Sequence, residues 1–276
     1  MPVRFVDLGS AKDVTVVSDV HMRHPDDERT KMFCWFLDQL VDSDILVLLG
    51  DIFDFINARQ SFYYKMWLPV FSKLRALRNR GIKIVFIEGN HDYGFEHNPY
   101  SEISDCFDFC GDFIAQVQHE KIGNVLLLHS DDVVCPPAYR MFRGLVKSRI
   151  FQALMSPIPG AATSALFSRY ASISRSKDEY RTLSGEFLTK CVDDFITKKA
   201  FNFSNTSVCI FGHIHVCLDD KRENIRFVSG PDWFSAPSSI RLTAEGQLER
   251  SWYCSEADIP KQFVFDAKSD SLVRAQ

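Results

Sequence analysis

The sequence predicts a layered α/β fold, and three observations carry the prediction. Short runs of β-favouring apolar residues recur along the chain. Amphipathic helical patterns separate them. Five of the runs stop on residues that bind divalent metals: Val14-Thr15-Val16-Val17 leads into Ser18-Asp19-Val20-His21, and residues 45–49 lead into Gly50-Asp51. Residues 82–87 lead to Gly89-Asn90-His91-Asp92, 125–128 to His129-Ser130-Asp131, and 208–211 to Gly212-His213-Ile214-His215. Such runs read as fully buried strands. Ligands gather outside the carboxyl ends of strands in open α/β sheets. Two carboxylates, one amide and four imidazoles are therefore expected to converge on one edge of one sheet.

Residues 26–41 place Met32, Trp35, Phe36, Leu37 and Leu40 on one broad helical face, with acids at the start. Residues 63–80 continue helically around Pro69, turn basic at Arg75 and Arg78, and meet Gly81 as a stop signal. Strand-helix-strand alternation over the first 130 or so residues favours a layered sheet. Residues 183–199 read as a later helix ahead of the His213 strand. Residues 225–228, 239–242 and 247–253 read as short strands joined by turns, which suggests an antiparallel second sheet. Beyond Asp258 the chain is polar and expected to be peripheral.

With 276 residues, 46% of them hydrophobic, the chain can bury one large core, as a single domain with an insertion or as two domains. A net charge of −4 argues against general nucleic-acid binding, which needs a basic domain. No apolar stretch reaches the roughly 18 residues of a membrane span. The first residues lack a basic segment followed by an apolar one, so no secretory signal is expected. Eight cysteines without C-x-x-C spacing read as reduced, mostly buried thiols in a cytoplasmic protein.

One segment breaks the pattern. Residues 139–177 contain no Asp or Glu but seven basic residues: Arg140, Arg143, Lys147, Arg149, Arg169, Arg175 and Lys177. Apolar residues such as Phe142, Leu145, Ile150 and Leu154 are interleaved, and Pro157-Ile158-Pro159-Gly160 forces a turn. This reads as a basic, amphipathic helical hairpin inserted into the α/β core. The blander reading is a core helix pair with solvated arginines. A positive segment in a negative protein calls for a negative partner.

Asp19 and His21 are one residue apart, and so are His213 and His215. In extended backbone such pairs point the same way, so each could present two ligands to one place. Hydrolytic two-metal sites hold their ions about 3.5–4 Å apart. An H-x-H pair could then place one imidazole on each ion, with Asp51 as the natural bridge. Such a centre attracts an anionic phosphate ester and lowers the pKa of bound water from 15.7 towards roughly 7. Singly, each motif has an ordinary explanation: Asp-x-His is common, Gly-Asp and Gly-Asn mark turns, and His129 could be a satisfied core histidine. In this order, each at a strand end, they point together to a dinuclear centre.

The ordered set D-x-H, G-D, G-N-H-[DE], lone His and G-H-x-H resembles the calcineurin-like metallophosphoesterase superfamily from about Val14 to His215. The resemblance implies an α/β fold built as a four-layer αββα sandwich. It implies Asp19, His21, Asp51 and His215 on one ion, and Asp51, Asn90, His129 and His213 on the other. His91 would be the unliganded imidazole near the leaving oxygen, oriented by Asp92. It further implies two divalent ions, manganese first, with iron or zinc also compatible with N/O ligands.

Within the superfamily the chain is most similar to the UDP-2,3-diacylglucosamine hydrolase family of bacterial lipid A biosynthesis. The likeness lies in Gly50-Asp51-Ile52-Phe53-Asp54 and in Cys135, Tyr139, Phe142-Arg143 and Phe151-Gln152-Ala153-Leu154 after His129. That family carries a helical cap at this point, which binds two acyl chains. The implied organisation is one domain over residues 1–276 with a cap at 137–180. The implied reaction is hydroxide attack on the α-phosphorus of UDP-2,3-diacylglucosamine, giving UMP and 2,3-diacylglucosamine 1-phosphate. Substrate contacts would come from Asn90, His91, Tyr139, Phe142, Arg143, Arg175 and Lys177. The partners would be a nucleotide-linked glycolipid and an anionic membrane surface, with no nucleic acid and no obligate protein partner. The location would be cytoplasmic, peripheral on the inner membrane. The chain departs from that family at His91, where its best-known members have Arg, and at Ser130, where they have Gly. A phosphodiesterase or phosphomonoesterase acting on a soluble nucleotide or another lipid diphosphate is the alternative, and a non-catalytic scaffold of the same fold comes last.

Overall fold

The computed structural model describes residues 4–131, 133, 137–155, 157–163, 185–198, 205–222, 224–230, 232–253, 263–266 and 271–274. In chain order the elements are β1 (Arg4–Ala11), β2 (Val14–Val17), α1 (Glu28–Gln39), β3 (Ile45–Leu49), β4 (Ile56–Asn57), α2 (Ser61–Met66), α3 (Leu68–Asn79), β5 (Lys83–Ile87) and β6 (Asp92–Tyr93). There follow α4 (Ser101–Ser104), β7 (Phe109–Gly111), β8 (Phe113–His119), β9 (Gly123–Leu128), α5 (Pro137–Val146), α6 (Arg149–Met155) and α7 (Gly185–Lys198). The chain closes with β10 (Thr206–Phe211), β11 (Leu218–Arg222), β12 (Ile225–Ser229), β13 (Ser238–Leu242), β14 (Leu248–Trp252), β15 (Phe263–Asp266) and β16 (Ser271–Arg274).

Two six-stranded sheets form the centre, ordered β14-β13-β2-β3-β5-β7 and β1-β8-β9-β10-β12-β11. The period of two along each strand sorts its residues between two apolar layers. Val16, Val47 and Val85 stand in one cross-strand row of the first sheet, and Leu127, Ile210 and Val228 in one row of the second. All six pack in the cluster between the sheets. The alternate residues face outward. Val17, Leu46, Leu48, Ile84 and Phe86 meet Phe33, Phe36 and Leu37 of α1 and Phe71 and Leu74 of α3. Leu126, Leu128, Cys209 and Phe211 meet Leu188 and Val192 of α7. Covering both faces of both sheets makes the αββα sandwich, and it explains why β2, β3 and β5 are near-continuous apolar runs rather than alternating ones.

Several expectations change. The metal-binding motifs do not lie on one sheet: β2, β3 and β5 belong to the first, β9 and β10 to the second. The strands expected between residues 225 and 253 do not make a sheet of their own, while β15 and β16 form a separate antiparallel pair. β12 joins β10 in parallel, while β13 pairs antiparallel with β2 and carries β14 outside it. The helix expected at 63–80 is two, α2 and α3, broken at Trp67 with Pro69 in the first turn of α3. Proline has no N–H to donate and suits that first turn, where no partner is needed. On α1 the buried face is Thr30, Phe33, Phe36 and Leu37, whereas Trp35 is half exposed. Position 35 falls off the i, i+3, i+4 row that 33, 36 and 37 share. Asp27 caps that helix, accepting from the Thr30 N–H at 2.6 Å. Six cysteines among the described residues are free thiols. No helix among the described residues is long and apolar enough to cross a membrane.

Candidate metal centre

The carboxyl ends of β2, β3, β5, β9 and β10 bring the motif residues of both sheets to one place. Among the described residues six non-glycines have positive φ, and five are expected ligands: Asp19 (54°), His21 (52°), Asp51 (53°), His213 (72°) and His215 (53°). Asp19-x-His21 and His213-x-His215 are therefore not extended. Each pair converges through left-handed backbone, so the extended-strand expectation gives way. Asp and His tolerate this region better than β-branched residues do. Each still costs about 1–3 kcal/mol, comparable with the roughly 1.5–3 kcal/mol from one buried Val or Leu. The sandwich core supplies many of those.

Three groups of donors lie within 4.8 Å of one another: Asp19, His21 and His215; His21, Asp51 and His91; and Asp51, His129 and His213. Asp51 links the last two. His21 Nε2 lies 3.2 Å from His215 Nε2, and His215 Nε2 lies 3.4 Å from Asp19 Oδ1. His129 Nε2 lies 3.5 Å from Asp51 Oδ2 and 3.3 Å from Asn90 Oδ1. These buried and half-buried carboxylate, imidazole and amide donors, none of them a thiolate, are the set that hard and borderline divalent ions take. The residues fit a metal pair.

Backbone and neighbouring carboxylates aim the donors. His129 Nδ1 donates to the Leu49 carbonyl at 2.8 Å, which leaves Nε2 for a ligand. Asp232 Oδ2 stands 3.6 Å from His215 Nδ1, and Asp54 Oδ1 stands 4.0 Å from His21 Nδ1. Asp54 and Asp232 are the functional residues that motif reading missed. Their signals were the second Asp of Gly50-Asp51-Ile52-Phe53-Asp54 and the Asp before Trp233. His91 Nδ1 donates to the Asp54 carbonyl at 2.7 Å, so Nε2 faces the centre, 3.9 Å from Asp51 Oδ2. Asp92 was expected to orient His91 and does not. Its two oxygens accept from the Ile52 and Phe53 N–H groups at 3.1 and 3.2 Å, pinning the loop that carries Asp51 and Asp54.

The glycines of the motifs are required by closeness. A Cβ on Gly89 would overlap Asp51 Oδ1 and sit 2.8 Å from His129 Nε2. One on Gly50, at φ +82°, would sit 2.6 Å from His129 Cγ.

Burial pushes the Asp51 carboxyl up, but His129, His91 and His21 outweigh it and hold the group well below the usual carboxylate range. Burial pulls the His129 imidazole down, yet Asp51, Asp19 and Asp131 raise it to about 9. Burial, reinforced by His129, takes His213 down to about 4. A ligating imidazole must be neutral. Below about pH 9 His129 carries a second ring proton, on Nε2, in the metal-free protein, so its ligation of manganese at pH 7.5 is expected to release about one proton. Apparent affinity then rises with pH until about 9. Calorimetric titration in two buffers of different ionisation enthalpy measures this, and buffer-independent heats would remove His129 from the ligand set.

Arg143 was expected to contact substrate. Its guanidinium pairs with Asp131 at 2.5 Å and Asp112 at 2.8 Å. The side chains of Tyr139 and Phe142, and all of Arg175 and Lys177, lie outside the described residues.

The sequence model for calcineurin-like phosphoesterases matches residues 12–217, which span every donor above. The chain belongs to the calcineurin-like phosphoesterase family. It is a phosphoester hydrolase, and the family's fold implies a dinuclear divalent-metal site. Relatives of this phosphoesterase include UDP-2,3-diacylglucosamine hydrolases from Proteus mirabilis (24% identical, covering 83% of this chain and 94% of the relative) and Vibrio vulnificus (25%, covering 87% and 98%). Another, from Stenotrophomonas maltophilia, is 26% identical over 83% of this chain and 94% of its own. A solved archaeal phosphodiesterase aligns over 87% of this chain at 11% identity and a TM-score of 0.42.

Proposed function

We propose that this phosphoesterase cleaves the pyrophosphate of UDP-2,3-diacylglucosamine at the α-phosphorus, giving UMP and 2,3-diacylglucosamine 1-phosphate. The observation that carries the reading is a cleft beside the donor cluster. Phe55, Asn57 and Tyr93 form one wall, and Val146, Phe151, Gln152 and Met155 of α5 and α6 form the other. Phe55 follows Asp54, whose carbonyl holds His91, and the Ile56 N–H donates to the His91 carbonyl at 3.0 Å. The cavity holds about 10 Å³, roughly the room of one water, so it is the apolar lining from α5 and α6 beside the phosphate chemistry, and not the room, that supports a lipid-linked diphosphate. The relatives above bear the name of that activity and align over nearly their whole length. Detergent-dispersed UDP-2,3-diacylglucosamine with manganese should yield UMP. Efficient cleavage of cyclic nucleotides with the glycolipid left intact would favour the soluble-nucleotide alternative instead.

In this reading the chain is one domain over residues 1–276, and 137–180 form the cap. Asp19, His21, Asp51 and His215 would hold one divalent ion, and Asp51, Asn90, His129 and His213 the other. Two such ions, with manganese first and iron or zinc also suited, supply Lewis-acid polarisation of the phosphate and a water of lowered pKa. His91 delivers a proton from Nε2 to the leaving oxygen, held in aim by the Asp54 carbonyl. Asn90 fixes the phosphate beside His129. Tyr139, Phe142, Arg175 and Lys177 complete the grip on the substrate.

The same cap would dock on the cytoplasmic face of the inner membrane. Met141, Leu145, Ile150 and Leu154 are 79, 56, 75 and 69% exposed, and the surrounding segment has no acid. Of its seven basic residues, Arg143 and Lys147 are paired inside the protein and are not counted towards lipid binding. Binding to anionic vesicles is expected to weaken with salt and to drop in Met141→Glu with Ile150→Glu, read by co-sedimentation. Equal binding to neutral vesicles would rule out the electrostatic part.

A further inference from the structure

The acid-free segment meets acids across its interface with the core. Arg143 of α5 gives Nε to Asp131 at 2.5 Å and Nη2 to Asp112 at 2.8 Å. One turn on, Lys147 Nζ lies 3.3 Å from Asp112 Oδ1 and donates to the Glu88 carbonyl at 3.3 Å. The Arg143, Lys147 and Asp131 side chains are 16, 6 and 2% exposed, so these three charges are largely out of water, whereas Asp112 at the rim is 36% exposed. Burial pushes the Asp112 carboxyl up, but Lys147 and Arg143 hold it below its ordinary value.

The acids sit at informative places. Glu88 lies two residues before Asn90, Asp131 lies two residues after His129, and Asp112 closes the β7 edge next to them. On the other side, Val146 lies between Arg143 and Lys147 in sequence and forms part of the cleft wall. One group of ion pairs therefore ties a cleft-lining helix to the two strand ends that carry Asn90 and His129.

We propose that this group is a latch, in which Arg143 and Lys147 are positioning residues that fix α5 and its cleft wall against the donor-bearing strand ends. The latch exists whatever the substrate; its effect on KM rests on the function proposed above. A guanidinium suits the task because its planar fork holds two carboxylates in a fixed geometry, where an ammonium acts as a point charge. Breaking such a pair leaves an uncompensated buried charge, so the helix, rather than the strands of the core, is expected to give way.

The test compares Asp112→Asn, Arg143→Ala and Arg143→Lys in the full chain loaded with manganese. Asp112→Asn is isosteric and touches no donor of the centre. It is expected to speed amide exchange in residues 137–146 about tenfold. It should raise KM for UDP-2,3-diacylglucosamine about tenfold, with kcat on the small diester bis(4-nitrophenyl) phosphate within about twofold of the parent. Arg143→Ala should do the same to exchange and KM, the double variant should be no worse than the worse single, and Arg143→Lys should fall between. If Asp112→Asn leaves exchange and KM unchanged while Arg143→Ala raises KM, Arg143 grips substrate directly and the latch is refuted. Additive losses in the double variant would refute it too. If the parent protein does not cleave the glycolipid at all, the proposed function fails on its own, and exchange in 137–146 still decides the latch.

Discussion

Asp51→Ala is expected to leave the protein holding neither divalent ion and to lower phosphodiester hydrolysis by more than about 10³-fold, the loss that follows when charge stabilisation at the reacting phosphate goes. The reason is position. Asp51 is shared between the His129–His213 group and the His21–His91 group, buried among four imidazoles. Its Oδ1 also accepts from the His91 N–H at 2.9 Å, so its removal loosens the Gly-Asn-His turn as well. Elemental analysis after gel filtration and turnover of bis(4-nitrophenyl) phosphate read the result. In the metal-free variant His129 should also titrate well below about 9, because Asp51 is the main group raising it. Two ions retained, or turnover near the parent value, would overturn the shared-ligand role.

His91→Ala is expected to keep both ions and lose about 10²–10³ in kcat, the effect of removing one group that stabilises charge at the reacting centre. Its Nδ1 is committed to the Asp54 carbonyl, so a proton for the leaving oxygen can depart only from Nε2. His91 also lies within ligand distance of His21 and Asp51, which makes the metal content the deciding number. An ion lost with the imidazole would make His91 a ligand. A variant with both ions and full activity would remove it from the chemistry altogether.

Much of the site was legible because strand ends announce themselves. β2, β3, β5, β9 and β10 lie where the apolar runs lie, and each is followed at once by a donor. What stayed hidden is what one-dimensional pattern cannot hold. The runs of β3 and β9 look alike, yet one belongs to each sheet, because sheet membership is decided by pairing partners far away in sequence. The left-handed backbone at Asp19 and His213 was hidden for a related reason: the tertiary frame imposes it, against local preference. The hydrogen-bond partners of Asp92 and Arg143 were hidden too. Asp92 adjoins His91 in sequence but spends its carboxylate on the Ile52 and Phe53 amides. Arg143 looks like a phosphate grip in a basic segment, until Asp112, 31 residues earlier, arrives beside it. Burying a charge demands a partner, and the sequence lists many acids without saying which one is near.

The most direct test of the central claim, that this centre cleaves a glycolipid diphosphate at its nucleotide phosphorus, is hydrolysis of UDP-2,3-diacylglucosamine in 18O-water. Purified protein with manganese would be used, and both products weighed by mass spectrometry. The account requires turnover with one 18O in UMP and none in 2,3-diacylglucosamine 1-phosphate. Label in the lipid phosphate would place the attack on the wrong phosphorus, and an intact glycolipid alongside rapid cleavage of small diesters would contradict the substrate itself.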